Sequence, residues 1–563
     1  MKSYIKKVPC CILLLLLLAP VVCLTQGIEI QSGGSIVNTG ATTIEIVNGG
    51  FINNGTYTKG AETITMSGTA ASEISGSQIS DFNNLVITNM GGVSIVHDAK
   101  VTVSNSLYIG SGANLTILGN AMGTGSLIIN GTLSNSGTII SERYMPGIAE
   151  AWHMLSSPMN GMAISTSDFE PGTEDDFYAW NEPSPGTWVN YKNNTTSPTF
   201  TEINGGDNFA AGKGYLVAYN EINPEKTFSG TLNYGSVNFT LKNTGVLRDW
   251  IYVSGWNLIG NPYSSAIDWN LVNRTQFLDE FAYIYDPNKA GGEGYVPIDG
   301  SSANANIAAN QGFFVIADLA AHNQIFTFTN TVQTHNGDSY LKSESTDEQI
   351  TLRLSSASYF DEAIIRIRNG SSFYRDREDA LKIYSFNIEI PQLFSQSLDD
   401  VRLSVNSLPS VNAETNIALG MLIPSTSSYY LSIESVSEYL ANNSVLLEDK
   451  LLGSWHKLTE SSYEFNAETG EIADRFVLHF GVVGIDESTS IVTEEPKVWQ
   501  NAGQLFIQSK NDIQKLEIFD LQGRKLVSRE IEGNNASIPL NLPTGIFLVR
   551  VQNSTTKIVI SSY

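Results

Sequence analysis

Gly34-Ser-Ile-Val-Asn38-Thr-Gly40, Gly49-Gly-Phe-Ile-Asn53-Asn-Gly55 and Gly131-Thr-Leu-Ser-Asn135-Ser-Gly137 are three versions of one short phrase. In each, a glycine leads into apolar residues and an Asn-x-Gly turn ends the run. Between them lie β-branched stretches: Ile44-Glu45-Ile46-Val47, Leu85-Val86-Ile87, Val101-Thr102-Val103, Leu115-Thr116-Ile117-Leu118 and Leu127-Ile128-Ile129. Short repeated strands with turn punctuation suit stacked rungs, where each turn buries its apolar side chains against the next. Residues 28–140 carry only eight charges, none between Lys100 and Glu142, and stacked charges at rung spacing would repel. A parallel β-helix or solenoid-like region is therefore expected over 27–144. The same turn chemistry also serves a flattened β-sandwich, the alternative that the residues leave open.

The chain has 563 residues, room for about four domains at roughly 150 each. Met1 to Lys7 is basic, and Val8 to Leu24 is an apolar run broken by Pro9 and Pro20. Its 17 residues fall short of the roughly 20 a spanning helix needs, so residues 1–26 read as a cleaved signal peptide. The alternative is lipidation at Cys23, but Pro20-Val21-Val22 lacks the small residue expected before such a cysteine. No later stretch reads as a transmembrane helix. Cys10, Cys11 and Cys23 all lie in the leader, so the mature chain has no disulfide framework and no cysteine metal site. The formal charge is −25, or −28 without Lys2, Lys6 and Lys7, and there is no basic patch to hold nucleic acid.

Residues 145–340 contain a longer repeat. Trp152-His-Met-Leu-Ser-Ser-Pro158 aligns with Trp256-Asn-Leu-Ile-Gly-Asn-Pro262, and Asp175-Asp176-Phe177 with Asp279-Glu280-Phe281, at an offset of 104. Gly212-Lys213-Gly214-Tyr215 aligns with Asn310-Gln311-Gly312-Phe313 at 98. This predicts a β module in two copies, 145–248 and 249–340, in which Gly214 and Gly312 permit a turn or a close backbone approach. Alternating runs such as Ile350-Thr-Leu-Arg-Leu354 predict a β-sandwich over 345–483. The acid-bearing stretch Gly481–Lys497 holds a linker over 484–497, and 498–563 read as a small sandwich of charge +2 against −30 for 28–497.

The search for chemistry returns little. His97, His153, His322, His335, His456 and His479 form no ligand spacing, so no metal is expected. There is no Gly-x-Ser-x-Gly, and the Gly206…Gly212-Lys213 stretch fails as a phosphate loop. Asp286-Pro-Asn288-Lys-Ala-Gly291 lacks the ligands of a calcium loop and reads as a β-turn. Asp175-Asp176 and Asp279-Glu280 resemble a glycosidase couple only in composition. Six of the eight tryptophans fall between Trp152 and Trp269; exposed, they would suit stacking on sugars, but their repeat positions in apolar runs favour a core role. No catalytic residue and no cofactor is assigned, and the ligand-binding residues are unknown.

Lys515-Leu-Glu-Ile-Phe-Asp520-Leu-Gln-Gly523-Arg524-Lys525, Leu542-Pro-Thr-Gly545-Ile-Phe-Leu-Val549 and Lys557-Ile-Val-Ile carry a resemblance. The tail resembles the type A C-terminal sorting domain of the Bacteroidetes type IX secretion system. That resemblance implies an Ig-like sandwich, with Asp520, Gly523, Arg524, Gly545 and Lys557 as its motif. It also implies the type IX machinery as partner, and removal of the tail after export. Ile546-Phe547 stands where the family commonly has a tyrosine. The expectation for the whole is an all-β, non-enzymatic protein, secreted or attached to the outer-membrane surface, adhesive or glycan-binding. Two alternatives stay open: a glycoside hydrolase or lyase working in a β-helix groove, and a structural surface-layer component.

Overall fold

The computed structural model describes residues 27–182, 187–245, 247–248, 251–252, 254–302, 305–336, 348–441 and 444–481, and in the tail 497–501, 504–508, 515–520, 523–531, 533, 535–539, 542, 545–551 and 554–560. The leader over 1–26 and the linker, apart from its last residue Lys497, lie outside the described residues. Strand accounts for 52% of the chain and helix for 3%, so the protein is all-β. The chain divides into two compact units, ending and beginning at Val483 and Gly484.

Residues 28–144 wind as a solenoid of parallel strands. Ile28 stacks on Phe51, Phe51 on Ile74, Ile74 on Ile95, Ile95 on Ile117 and Ile117 on Ser141. A second ladder runs Ile44, Ile64, Leu85, Leu107, Leu133. The inward residues form one continuous apolar stack. The asparagines of the turn phrase close it. Asn53 is buried, donates to Ile79 O at 2.9 Å and accepts from Gly55 N at 3.3 Å. Asn89 donates to Ala70 O and Ser72 Oγ, both at 2.9 Å. A neutral amide satisfies backbone groups of two turns at once, which is why the region can do without charge. The exception is Glu62, buried on the same stack. Its carboxylate accepts from Gly60 N at 2.6 Å, Tyr57 OH at 3.0 Å and Asn83 N at 3.1 Å. Burial opposes its charge, but the backbone N–H donors outweigh burial and hold the carboxyl below its ordinary range.

The solenoid's last turn is covered by the following segment: strand Glu225–Gly230 pairs antiparallel with Thr138–Tyr144. This removes an open edge, and Phe169, Phe177, Phe209 and Phe228 join the solenoid's apolar stack. The segment's own four-stranded sheet has the order His153–Leu155, Tyr215–Ala218, Asp176–Asn181, Thr187–Asn190. A second sheet has the same order: Trp256–Gly260, Gly312–Ile316, Phe281–Asp286, Gly294–Asp299.

These two sheets meet through reciprocal contacts. Ser156 N donates to Asn310 O and Gly260 N to Gly212 O, each at 3.0 Å. A Cβ on Gly214 would lie 2.5 Å from Ile259 O, and one on Gly312 would lie 2.8 Å from Leu155 O. Leu155 and Ile259 are themselves equivalent positions of the sequence alignment. The expected close approach thus occurs, each glycine receiving the backbone of the other sheet.

Residues 348–481 form one eleven-stranded sheet. Strands from its whole length contribute to one apolar cluster, so it folds over itself in two layers. All its pairings are antiparallel except Phe360–Ile367 with Arg402–Leu408. The tail unit has a three-stranded sheet (Lys497–Asn501, Gln504–Gln508, Asn535–Pro539) and a four-stranded sheet (Lys525–Glu530, Lys515–Phe519, Gly545–Val551, Ser554–Ile560). Leu505, Ile507, Leu516, Ile518, Ile538, Phe547, Val549 and Val551 form its core.

Two predictions follow from these contacts. Gly214→Ala and Gly312→Ala force backbone apart at equivalent places, and each should destabilise the passenger by about 1–3 kcal/mol in chemical denaturation. A cost confined to one of the pair would show that the contact is not reciprocal in energy. Glu62→Gln leaves donors unsatisfied and should cost about 1–3 kcal/mol near neutral pH. Because the folded carboxyl is depressed, its stabilisation is complete above the unfolded value of 4.5 and is lost as pH falls through the folded value. The gap between wild type and variant should therefore close on acidification; a pH-independent gap would contradict this assignment.

Candidate functional site

A cavity of about 420 Å³ lies where the last solenoid turns meet the two four-stranded sheets. The solenoid contributes Asp98, Lys100, the hairpin residues 120–126 and Arg143; the first sheet contributes His153 and Met154; the second contributes Ile284, Tyr285 and Asp286. Arg143 leaves the last solenoid strand and donates through Nη2 to Gln311 Oε1 at 3.0 Å. Gln311 in turn donates to Met154 O at 2.9 Å and Gly312 O at 2.8 Å. One side-chain amide thereby links the solenoid and both sheets at the cavity wall.

The electrostatics are balanced. Burial, reinforced by the Arg143 charge, pushes the His153 imidazole down to about 3, so it is neutral at physiological pH. Burial also pushes His335 down to about 4, with Lys100 acting in the same direction. The His335 ring is held at 2.9 Å by Thr102 Oγ1 and at 2.7 Å by Ser126 Oγ. Asp286 ends its strand in a turn: its Oδ1 accepts from Asn288 N at 2.9 Å. Its Oδ2 is buried with no hydrogen-bond partner, and burial raises the carboxyl. Lys100, Arg143, Asp98 and Asp286 thus line one cavity, with Met154, Ile284, Ala266 and Ala308 among its apolar wall. Such a site favours a polar, uncharged ligand with apolar patches.

The other candidates have structural partners. Trp152, Trp180, Trp188 and Trp256 are half-buried in one cluster with Phe314 and Tyr283. Trp180 Nε1 donates to Trp256 O at 2.7 Å, and Trp269 is fully buried; Trp250 lies outside the described residues. Asp175 accepts from Asn220 N at 2.9 Å, and Asp176 from Asn190 Nδ2 at 3.0 Å. Asp279 is 0% exposed and accepts from Phe281 N at 3.1 Å and Tyr283 OH at 2.9 Å. Glu280 pairs with Arg274 and Arg377, each at 2.6 Å. Lys213 donates to Ile203 O at 2.8 Å, in no phosphate loop. Among the described residues no three His, Cys, Asp or Glu gather as a metal would require. Sequence reasoning missed Arg143, Gln311 and Trp455. Arg143 carried a faint signal as one of the first charges after a long uncharged stretch.

In the tail, Asp520 accepts from Arg524 N at 2.9 Å and from Arg524 Nε at 2.7 Å. Gly523 closes that turn, its φ of 78° lying in the left-handed region and its N–H reaching Asp520 O at 3.0 Å. These three motif residues form one turn. Gly545 and Lys557 lie apart from it: Gly545 opens its strand opposite Ile560, and exposed Lys557 pairs with Leu548. Glu517, which the sequence reading did not single out, anchors Lys525 at 2.7 Å, Lys515 at 3.0 Å and Arg550. Lys525, Arg550 and Lys515 hold its carboxyl down at about 2.

Comparison with known families places both units. Residues 501–561 match the secretion system C-terminal sorting domain, as the Asp-x-x-Gly-Arg turn anticipates. The tail is thus a sorting domain of the type IX secretion system, and the protein is an all-β protein exported to the cell surface or beyond. No helix among the described residues is long and apolar enough to cross a membrane. No curated protein matches the chain. Residues 51–290 and 270–480 match a family described as a domain of unknown function (DUF8693), so the passenger, from the solenoid through the eleven-stranded sheet, belongs to that family.

Proposed function

We propose that the passenger is a non-enzymatic binding protein of the cell exterior, which takes the end of a saccharide chain into the cavity beside Arg143, His153 and Asp286. The observation that carries this reading is the cavity itself. Its volume of about 420 Å³ lies in the range of small-ligand sites. Its polar groups balance in charge, and Asp286 stands on its wall with one carboxylate oxygen that no protein group satisfies. A sugar supplies the matching chemistry: hydroxyls that donate to Asp286 and accept from Lys100, and C–H faces for Met154 and Ile284. The structural engagement of Asp175, Asp176, Asp279 and Glu280 supports binding over catalysis.

One observation favours the enzymatic alternative. Asp98 and Asp286 line the same cavity, and the raised Asp286 carboxyl is the kind of group that serves as a general acid. Titration of the secreted protein against a panel of soluble oligosaccharides separates the readings. Binding without turnover is expected, and Asp286→Asn should weaken it at least about tenfold through loss of the acceptor. Hydrolysis abolished by Asp286→Asn would establish the enzyme instead.

Export yields its own prediction. Two addresses, the leader and the tail, stand at opposite ends of the chain. Deleting residues 498–563 should leave the protein in the periplasm on cell fractionation. The mature form should end within roughly residues 481–500, read by mass spectrometry, because processing concentrates in exposed linkers. A secreted species still ending at Tyr563 would show that the tail is kept.

A further inference from the structure

Among the residues whose burial is described, the tryptophan that meets solvent is not one of the six that the sequence drew together. Trp455 sits on the edge strand Ser454–Lys457 of the eleven-stranded sheet and is 56% exposed. Its cross-strand partner is Glu448, while Leu446 pairs with both Lys457 and His479. Glu448, Trp455, Lys457 and His479 therefore share the outer face, and Val445, Leu447, Leu478 and Phe480 share the core face. Asn416, opposite His479 on the next strand, extends the outer face and is exposed.

The outer face has an ordered polar frame. The His479 ring centroid lies 4.5 Å from that of Trp455, tilted by 45°. His479 Nε2 meets Glu448 Oε2 at 3.0 Å, and Lys457 pairs with Glu460 at 2.8 Å. The indole is thus braced by a side chain that is itself hydrogen-bonded. Bracing lowers the ordering cost that an exposed aromatic pays on binding.

We infer that this face is a second saccharide-binding surface, independent of the cavity, which stacks a pyranose ring of an extended neutral polysaccharide on Trp455. The flat C–H face of a sugar matches the indole, while Glu448, Lys457 and Asn416 meet hydroxyls at its rim. Lys457 is paired with Glu460 and Glu448 is hydrogen-bonded to the His479 ring, so the face presents no lone charge that calls for an ionic ligand. Leu451 and Leu452, at 71% and 65% exposure on the adjoining hairpin tip, suggest lipid as another occupant. The charge of the mature chain argues against an anionic bilayer, which would repel it. The inference extends the saccharide reading to a separate surface, and its test lets the two fail separately.

Affinity electrophoresis of the secreted protein in gels containing soluble β-glucan, xylan or mannan provides that test, run beside Trp455→Ala, Trp455→Phe and Asp286→Asn. Retardation on at least one polysaccharide is expected. Trp455→Ala should weaken it at least tenfold at unchanged thermal midpoint, Trp455→Phe should restore part of it, and Asp286→Asn should retain most of it. Retardation that Trp455→Ala leaves intact overturns the surface while leaving the cavity standing if Asp286→Asn abolishes it. Absence of retardation on every polysaccharide overturns the Trp455 surface; oligosaccharide binding in the separate titration would then leave the cavity reading in place. Co-sedimentation with phosphatidylcholine vesicles that depends on Trp455, without polysaccharide retardation, assigns the face to lipid and overturns the proposal.

Discussion

The passenger depends on a contact in which side chains are absent. At Gly214 and Gly312 the backbones of two equally ordered sheets approach too closely for any Cβ, and backbone hydrogen bonds cross between them in both directions. That approach fixes the two sheets relative to each other. It also places Gln311, the residue before Gly312, where its amide reaches Met154 O and the Arg143 guanidinium. Without the glycine pair the sheets would stand further apart, and the cavity wall would lose its linking residue.

Charge is spent unevenly across this architecture. The solenoid stacks its turns with neutral asparagine amides and a single deeply buried carboxylate, Glu62, satisfied by backbone donors. The junction of the second sheet with residues 348–481 instead sets buried ion pairs beside a shared apolar cluster. Arg366 pairs with Asp299, and Asp361 holds both Lys382 and Lys289. Repetition explains the contrast. A charge repeated at every rung meets its own copy, whereas a junction occurs once and can match unlike partners. Buried pairs of this kind specify geometry more than they add stability.

The tail follows separate rules. Its core is built from its own strands, its charge sign is opposite to that of the passenger, and its recognisable turn is held by the Asp520–Arg524 pair and closed by Gly523.

Much of the fold was legible in the residues because it is periodic or local. The Asn-x-Gly phrase, the absence of charge over 101–141 and the 104-residue offset each reflect a rule that repeats along the chain, and the sorting turn lies within five residues. The glycines before the apolar runs could be read as a turn or a close approach, and only the paired sheets show that it is the close approach. The sites were not legible, because they are made of residues that the chain brings together once. Arg143, His153 and Asp286 come from three segments, and their spacing carries no pattern. The tryptophans show the same limit: side-chain type was visible, but whether an indole faces core or water follows from sheet register and from what covers the sheet. Trp455 is exposed because its register opposite Glu448 turns it away from the face that Val445 and Leu447 bury, a fact of tertiary pairing alone.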